Sequence, residues 1–369
     1  MKKYLLVLIG IILYSFSNGQ IKTANNGINN SLIPITEKQS DLIFDKTKSF
    51  PDNTELSIAI IKKGKIKYLG IKRKNDTIIV TENYQSIFEI GSITKVFTAT
   101  LLSDFCLENE LKLEDPIQNY LDFKIKVRDN ITFKELANHT SGLPRLPSNL
   151  NISELDSDNP YKKYESKRLL EYLTEKIELN QKPGIKYEYS NLGAGIMGFV
   201  LSKISKTSFE ELLQKNIFTK YGMSNSTTQI NSVKGKIVKG LNFKGEETPN
   251  WDFKVLAGAG AILSSAEDLS KFALAQFNKK NKELILTQKI TFKINETMGV
   301  GLGWHILNKK NGEKILCHNG GTGGYSSSIA LNTKKKEGII ILSNVSAFSK
   351  QNGNIEKLCF GLMETLNKK

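Results

Sequence analysis

Cysteine and histidine are scarce in this sequence, and their scarcity excludes several classes of protein. The 369 residues include three cysteines, at positions 106, 317 and 359, which are too few and too far apart for a disulfide framework. The three histidines, His139, His305 and His318, form no pair at helical spacing, so we expect no zinc site and no other metal centre.

Long apolar runs are also missing, apart from one at 4–14, and the mean hydropathy of −0.28 excludes a protein with many membrane spans. Lys2 and Lys3 precede that run and small polar residues follow it, which predicts a secretory signal peptide over 1–19. An uncleaved membrane anchor is the alternative. We expect a periplasmic or secreted protein with no stable membrane span after signal removal, and a flexible lead-in over 20–37.

The net charge is strongly positive, +15 at pH 7. The lysines are scattered, however, and their short clusters at 62–74 and 334–336 border apolar runs, as lysines do at strand edges. Nucleic-acid binding would need a concentrated basic face. We therefore expect no nucleic-acid partner.

Strand-like runs lie towards both ends of the chain, and helical periodicity fills the middle. We predict strands at 56–62, 65–71, 87–90, 301–307, 315–318, 326–331 and 338–343, and helices at 38–48, 93–111, 133–138, 166–176, 192–204, 209–215, 266–277 and 355–366. The simplest arrangement is an α+β fold. Helices flank one antiparallel sheet made from 38–92 and 251–368, which carries an inserted, mostly helical subdomain at 93–250. A site is expected in the cleft between the two parts.

Two local patterns refine this interpretation. Residues 264–267 read as a capping box that opens the helix at 266–277. Residues 193–198 match the glycine spacing of a dinucleotide-binding loop, but no buried strand precedes them. We interpret these glycines as places where helices pack closely, and we expect no organic cofactor.

The first chemical motif is Ser92 and Lys95, three residues apart where a strand leads into a helix. This spacing puts both side chains on one face of the helix. A serine needs a base to take its proton, and a desolvated lysine can be neutral enough to do so. The alternative is that Ser92 only caps the helix.

The second motif is Tyr189 and Asn191, directly before an apolar helix. A tyrosine beside a serine–lysine pair can carry a proton if nearby cations lower its pKa. Asn191 could hold a substrate carbonyl or orient Lys95. The structural alternative is that Asn191 caps the helix and Tyr189 packs beneath it.

The third motif is His318 at the end of a strand, followed by glycines at 320, 321, 323 and 324. Glycines let another molecule approach the backbone closely, for example a substrate that lies alongside the strand. We expect His318 to point into the cleft. The alternative is a glycine-rich hairpin with a partly buried histidine.

Together, and in this order, the three motifs resemble those of serine beta-lactamases and penicillin-binding proteins, which are Ser-x-x-Lys, Tyr-x-Asn and Lys-Thr-Gly. The version with Tyr-x-Asn is similar to the class C beta-lactamase branch, which includes D-alanyl-D-alanine carboxypeptidases, D-aminopeptidases and esterases. Residues 136–143 also resemble that family's Leu-Leu-x-His-Thr-Ser-Gly-Leu segment. The resemblance covers 40–365 and implies a beta-lactamase/transpeptidase-like fold over 38–368.

The resemblance implies a role for each motif residue. Ser92 would be the nucleophile, Lys95 its proton partner and Tyr189 the shared general acid and base. Asn191 would position the substrate amide. The oxyanion hole and the substrate-binding backbone would involve Ser92, Gly320 and Gly321. The backbone N–H groups of Ser92 and Gly321 would be the two oxyanion donors.

Two histidines, His318 and His139, lie in segments that resemble the family's motifs. His318 stands where the family has a lysine, and a histidine is only partly charged near neutral pH. This departure favours the carboxypeptidase, aminopeptidase and broader hydrolase members over efficient antibiotic hydrolysis. His139 is expected to hold loop backbone.

Several possibilities stay open within this resemblance. The substrate could be a beta-lactam, a cell-wall-type peptide of D-amino acids or a small ester. A catalytically inactive penicillin-binding or sensor protein of the envelope is the contrasting class. We expect a monomer that needs no cofactor.

Overall fold

One large antiparallel sheet and the helices packed on its faces form the part of the chain that the structure describes. The structure is a computed structural model and describes residues 20–21, 35–75, 77–150 and 159–366. Its strands are Gln20–Ile21 (β1), Glu55–Lys62 (β2), Lys65–Lys74 (β3), Thr77–Thr81 (β4), Phe88–Glu89 (β5), Gly240–Leu241 (β6), Glu247–Thr248 (β7), Leu263–Ser264 (β8), Phe292–Lys293 (β9), Met298–Val300 (β10), His305–Asn308 (β11), Lys314–Gly321 (β12), Ser326–Asn332 (β13) and Glu337–Ser343 (β14). Its α-helices are Glu37–Thr47 (α1), Thr94–Leu107 (α2), Phe133–Ala137 (α3), Ser166–Glu171 (α4), Asn191–Ser205 (α5), Phe209–Leu213 (α6), Thr219–Tyr221 (α7), Ala266–Gln276 (α8), Lys282–Thr287 (α9) and Gly353–Leu366 (α10).

Strands from both ends of the chain share this sheet. Ten strands run in the order β1-β4-β3-β2-β14-β13-β12-β11-β10-β9. The two halves meet where β2 pairs antiparallel with β14. This confirms the predicted α+β fold with a sheet built from both termini, while the subdomain limits at 93 and 250 stay predictions.

The central strands contain continuous apolar runs because both faces of the sheet are covered. On one face, Ile58 of β2 and Ile341 of β14 belong to a core shared with α1 and α10. On the other face, Ala59 and Ile340 belong to the larger core that includes α2 and α5. Neighbouring side chains in a strand point to opposite faces, so a strand between two cores has no polar alternation.

Two predicted boundaries are wrong, and backbone geometry explains both. The helix predicted at 93–111 ends at Leu107, and Asn109 then has a left-handed φ of 60° that a helix cannot continue through. The strand predicted at 301–307 begins only at His305, because Gly303 turns the chain with a φ of 73° after β10 has ended.

The predicted capping box of α8 is also wrong in its residues. The N-cap is Ser265, whose side chain accepts a hydrogen bond from the backbone N–H of Asp268. Ser264 instead ends β8, the strand that pairs with β5 directly before Ser92. The cap therefore lies one residue later than predicted, because Ser264 is already paired in a sheet.

Part of the predicted lead-in at 20–37 belongs to the fold. Gln20–Ile21 pairs with β4, and α1 begins at Glu37 behind a capping box formed by Thr36 and Gln39. The predicted signal peptide at 1–19 and residues 22–34 lie outside the described residues. Among the helices described, none is both long enough and apolar enough to cross a membrane.

Two of the glycines at 193–198, Gly195 and Gly198, pack closely against a 3-10 segment, Lys254–Ala259, in agreement with the predicted close helix packing. A Cβ on Gly198 would lie 3.0 Å from the Cα of Gly258. This contact holds the 3-10 segment against α5, and the same segment supplies a backbone carbonyl to the candidate site.

We expect Gly258→Ala to weaken this packing. A Cβ at 258 would lie 2.7 Å from the carbonyl oxygen of Ala194, so the free energy of unfolding should fall by about 1–3 kcal/mol. Chemical denaturation followed by circular dichroism measures the change. Gly235→Ala is the control, because its Cβ meets no atom within 4 Å, and it should stay within about 0.5 kcal/mol of wild type. Equal stability of the two variants would contradict the packing role.

Candidate active site

A cavity of about 700 Å³ lies between the end of β12 and the helical part of the chain. Most of the predicted site residues line it, namely Ser92, Tyr189, Asn191, Gly320 and Gly321. A larger cavity of about 1100 Å³, lined by polar residues such as Glu55, Lys72 and Lys236, contains none of them. Because the predicted site residues line the smaller cavity, we take that cavity as the candidate active site.

Ser92 and Lys95 meet at the start of α2. The 3-10 turn Gly91–Ile93 places Ser92 on the cavity wall, one helical turn before Lys95. The Lys95 Nζ lies 2.9 Å from the Ser92 Oγ and donates a 2.7 Å hydrogen bond to the carbonyl oxygen of Ala259. No sequence signal marked Ala259, because only the packing of the 3-10 segment on α2 and α5 brings it here.

Burial determines the charge of this lysine. Lys95 is 1% exposed, and burial together with the positive charge of Arg145 holds the pKa of Lys95 well below its usual value. A neutral amine has a lone pair that can accept the proton of the Ser92 hydroxyl. The geometry thus supplies a base for a serine nucleophile.

Close backbone contacts between glycines bring the start of α2 against the end of β12. Gly91 has a φ of 50°, and a Cβ there would lie 2.5 Å from the backbone nitrogen of Gly321. A Cβ on Gly320 would lie 2.0 Å from the carbonyl oxygen of Ile90. Side chains are thus excluded at these points, and the turn that carries Ser92 lies beside Gly321. The predicted pair of N–H donors on Ser92 and Gly321 requires this arrangement, and its role stays a prediction.

His139 holds the loop that carries Tyr189, as predicted. Its Nδ1 accepts a 3.2 Å hydrogen bond from the backbone N–H of Ser190, and its carbonyl oxygen accepts one of 2.8 Å from Glu188. Its ring lies 4.5 Å from the ring of Tyr189, centroid to centroid. The Lys95 Nζ is 4.9 Å from the same ring centroid. Tyr189 is therefore fixed beside the serine and the lysine.

The expected lowering of the Tyr189 pKa is wrong. Burial raises the pKa of Tyr189 to about 12, outweighing the hydrogen bond with Ser92 and the positive charge of Arg145, which both lower it. Tyr189 is therefore a neutral phenol that can donate a proton, and the neutral amine of Lys95 is the better acceptor.

His318 is buried instead of pointing into the cleft, which corrects the prediction. It is 3% exposed, and its Nδ1 lies 2.7 Å from the carbonyl oxygen of Asn319. A carbonyl only accepts, so Nδ1 carries the proton and Nε2 has a lone pair. Burial, with the nearby charges of His305 and Lys95, lowers the pKa of His318 well below its usual value. His318 is thus neutral and does not supply the positive charge of a lysine.

His305 lies on the cavity wall, and sequence reasoning gave it no role. Its Nε2 lies 2.7 Å from the hydroxyl of Tyr187, and its ring is 5.3 Å from that of His318. The only available signal was its place in a strand next to β12, because the pairing of β11 with β12 sets His305 opposite Cys317. Within the described ranges, no three His, Cys, Asp or Glu residues are arranged to hold a metal ion.

Asn191 lines the cavity and does not cap α5. The cap is Ser190, whose Oγ accepts a 2.9 Å hydrogen bond from the backbone N–H of Gly193. The Asn191 side-chain nitrogen donates to the Tyr161 hydroxyl at 3.3 Å, while its Oδ1 has no partner among the described residues. That oxygen is buried, so the predicted role of Asn191 in positioning a substrate amide stays a prediction, and no contact among the described residues would let Asn191 orient Lys95.

The beta-lactamase family, and individual known proteins, are similar to this chain in sequence. The profile of the Beta-lactamase family matches residues 47–357. Protein flp of Staphylococcus aureus strain MRSA252 is 26% identical over 339 residues, which make up 85% of this chain and 64% of that protein. A Beta-lactamase of Pseudomonas fluorescens is 26% identical over 332 residues, or 79% of this chain and 89% of that protein. This chain therefore spans less than two thirds of the length of Protein flp.

Solved structures share the fold. The octameric penicillin-binding protein homologue of Pyrococcus abyssi has a TM-score of 0.74 and 25% identity, with 90% of this chain and 77% of that chain covered. A Beta-lactamase/D-alanine Carboxypeptidase of Yersinia pestis has a TM-score of 0.74 and 21% identity, with 89% and 96% covered. The predicted beta-lactamase/transpeptidase-like fold is thus confirmed.

The charge states of Lys95 and Tyr189 predict the pH dependence of serine reactivity. We expect the labelling rate of Ser92 by a fluorophosphonate to rise as the pH rises through the lowered pKa of Lys95, because only the neutral amine accepts a proton. Above that point the rate should stay level until Tyr189 ionises near its pKa of about 12. Rates measured from about pH 5 to about pH 10 give the profile.

A rate that climbs about tenfold per pH unit across this whole range would instead identify the Tyr189 phenolate as the base. Tyr189→Phe is the control, since it should slow labelling while keeping the acidic limb that belongs to Lys95.

Proposed function

The chain belongs to the beta-lactamase family, and on that premise we propose that it is a serine hydrolase that forms its acyl-enzyme on Ser92. The observation that carries the proposal is the 2.9 Å contact between the Ser92 Oγ and the Nζ of the buried Lys95. A buried, neutral amine in contact with a half-buried serine hydroxyl on a cavity wall is an arrangement for nucleophilic catalysis.

Acylation begins when the Ser92 Oγ attacks the substrate carbonyl and its proton passes to the Lys95 Nζ. The oxyanion forms beside the backbone N–H groups of Ser92 and Gly321, each contributing roughly 3 kcal/mol to stabilisation of the transition state. Tyr189 gives its proton to the leaving amine or alcohol and regains one from Lys95. The acyl group is then bonded to Ser92, and no proton has been gained or lost.

Deacylation repeats these transfers with water as the nucleophile. Water attacks the ester carbonyl of the acylated Ser92, and its proton passes to Lys95 through Tyr189. The serine oxygen leaves and takes that proton back. The product is a carboxylic acid, the enzyme returns to its starting state, and no metal or organic cofactor takes part.

We propose peptides that end in D-amino acids, and beta-lactams, as the acyl donors. The end of β12, with Gly320 and Gly321, offers backbone groups to an extended substrate, and Asn191 lies on the same cavity wall. Aromatic side chains, among them Tyr161 and Trp251, cover part of the wall. Small esters are the second candidate, since this apolar wall suits them as well.

The setting of the enzyme is also a proposal. We propose a monomer exported to the periplasm or the medium by the signal peptide at 1–19. The octamer belongs to the homologue from Pyrococcus abyssi and supports no particular assembly of this chain.

We expect a fluorescent penicillin and a fluorophosphonate to label the wild-type protein on Ser92. Ser92→Ala should reduce labelling by more than about 1,000-fold, because among the described residues no other hydroxyl is hydrogen-bonded to the Lys95 amine. The bound probe can be located by peptide mass spectrometry.

Ser103→Ala is the matched control. Ser103 lies in α2, the helix that carries Lys95, and its hydroxyl is buried and bonded to the carbonyl oxygen of Ala99, so labelling should equal that of wild type. Equal labelling of wild type and Ser92→Ala, or labelling of neither, would contradict the proposal and favour a catalytically inactive protein.

A substrate panel should rank the acyl donors. We expect D-Ala-D-Ala peptides to be hydrolysed faster than nitrocefin, because His318 is neutral and gives no lysine-like charge at the third motif. Values of kcat/KM for these substrates and for p-nitrophenyl esters provide the ranking. Hydrolysis of the esters alone would favour the esterase alternative.

A further inference from the structure

Arg145 is a cation on the wall of the candidate active site that none of the three motifs contains. It follows Pro144 in the loop after α3, and its side chain is exposed to the cavity. Its carbonyl oxygen accepts hydrogen bonds of 3.0 Å and 3.1 Å from the backbone N–H groups of Asn191 and Leu192. The backbone of Arg145 is thus fixed to the first turn of α5, directly after the tyrosine loop.

The guanidinium of Arg145 lies next to the proton donor of the proposed reaction. Its Cζ is 5.1 Å from the centroid of the Tyr189 ring. In the proposed mechanism Tyr189 protonates the leaving group, so the leaving nitrogen must lie against the Tyr189 hydroxyl. Groups attached to that nitrogen therefore come close to Arg145.

Arg145 is the only lysine or arginine among the described residues that line this cavity. Lys95 is buried behind the wall and directs its amine to Ser92 and Ala259. His318 is buried and neutral. Arg145 forms no ion pair with any residue in the described ranges, and the only acid among the described residues of the wall, Glu356, comes from α10.

We infer that Arg145 is a specificity-determining residue that binds a free carboxylate on the leaving group, next to the scissile bond. In a peptide substrate, the carboxylate carbon of the last residue lies about 2.5 Å from the leaving nitrogen. A guanidinium can hold that carboxylate with two parallel hydrogen bonds. The substrates selected in this way are acyl amides whose last residue has an unblocked C-terminus, and the inference rests on the proposed acyl-enzyme function.

The test compares two peptides that differ only at the C-terminus, an acyl-D-Ala-D-Ala acid and its carboxamide. For the wild type, kcat/KM should favour the acid. In Arg145→Ala the ratio of acid to amide should fall about 10- to 100-fold, the effect of losing hydrogen bonds to a charged group. Arg145→Lys should restore part of the ratio, because a lysine keeps the charge without the planar fork.

Lys167→Ala is the matched control, because Lys167 is an exposed cation of α4 outside the cavity. It should leave the ratio unchanged. If Arg145→Ala slows both substrates equally, Arg145 acts only on the pKa values of Lys95 and Tyr189, and the inference is overturned. An unchanged ratio in Arg145→Ala overturns it as well.

A binding measurement separates this inference from the proposed function. Calorimetry with the Ser92→Ala protein should show tighter binding of the acid than of the amide, and the double variant with Arg145→Ala should lose this preference. If a fluorophosphonate fails to label wild-type Ser92, the proposed hydrolase function is refuted. The binding preference for the acid would still test the role of Arg145 in that case. Labelling of Ser92 without any acid preference would refute the inference alone.

Discussion

The candidate site depends on one buried amine. The Lys95 Nζ sits between the Ser92 hydroxyl and the carbonyl oxygen of Ala259 and is shielded from water. Keeping a charged ammonium there would be costly, so the environment favours the neutral form. This requires three elements to meet: the start of α2, the 3-10 segment Lys254–Ala259, and the α5 helix against which that segment packs. The close contact between Gly198 and Gly258 therefore helps to hold the segment that supplies the carbonyl partner of this amine.

A second constraint is the close approach of two backbones. Side chains at Gly91 or Gly320 would collide with neighbouring main-chain atoms, so glycine is required for Ser92 to lie beside Gly321. The serine side chain and two candidate N–H donors can then face one point in space. Rigid placement of this kind is what electrostatic stabilisation of an oxyanion needs, since donors that must reorganise lose much of their effect.

Charge is distributed unusually around the tyrosine. Burial keeps Tyr189 protonated, with a pKa of about 12, and keeps His318 neutral, so neither residue carries charge at neutral pH. The positive charge that faces the cavity comes instead from Arg145, which lies outside the third motif. In the proposed reaction this places the anion-binding group on the leaving-group side. Recognition of the substrate by Arg145 would then depend on the leaving group.

The sequence by itself determined the fold class and most of the motif residues. The apolar runs of β2 and β14, the Ser92–Lys95 spacing and the Tyr189–Asn191 pair were all readable, because they depend on local periodicity or on short spacing. Only the tertiary structure decided what depends on distant packing. Ala259 and Arg145 come from segments with no motif, and the register of β11 on β12 places His305. The charge states of Lys95, Tyr189 and His318 also belong to this second group, since they follow from burial, and burial is a property of the folded chain as a whole.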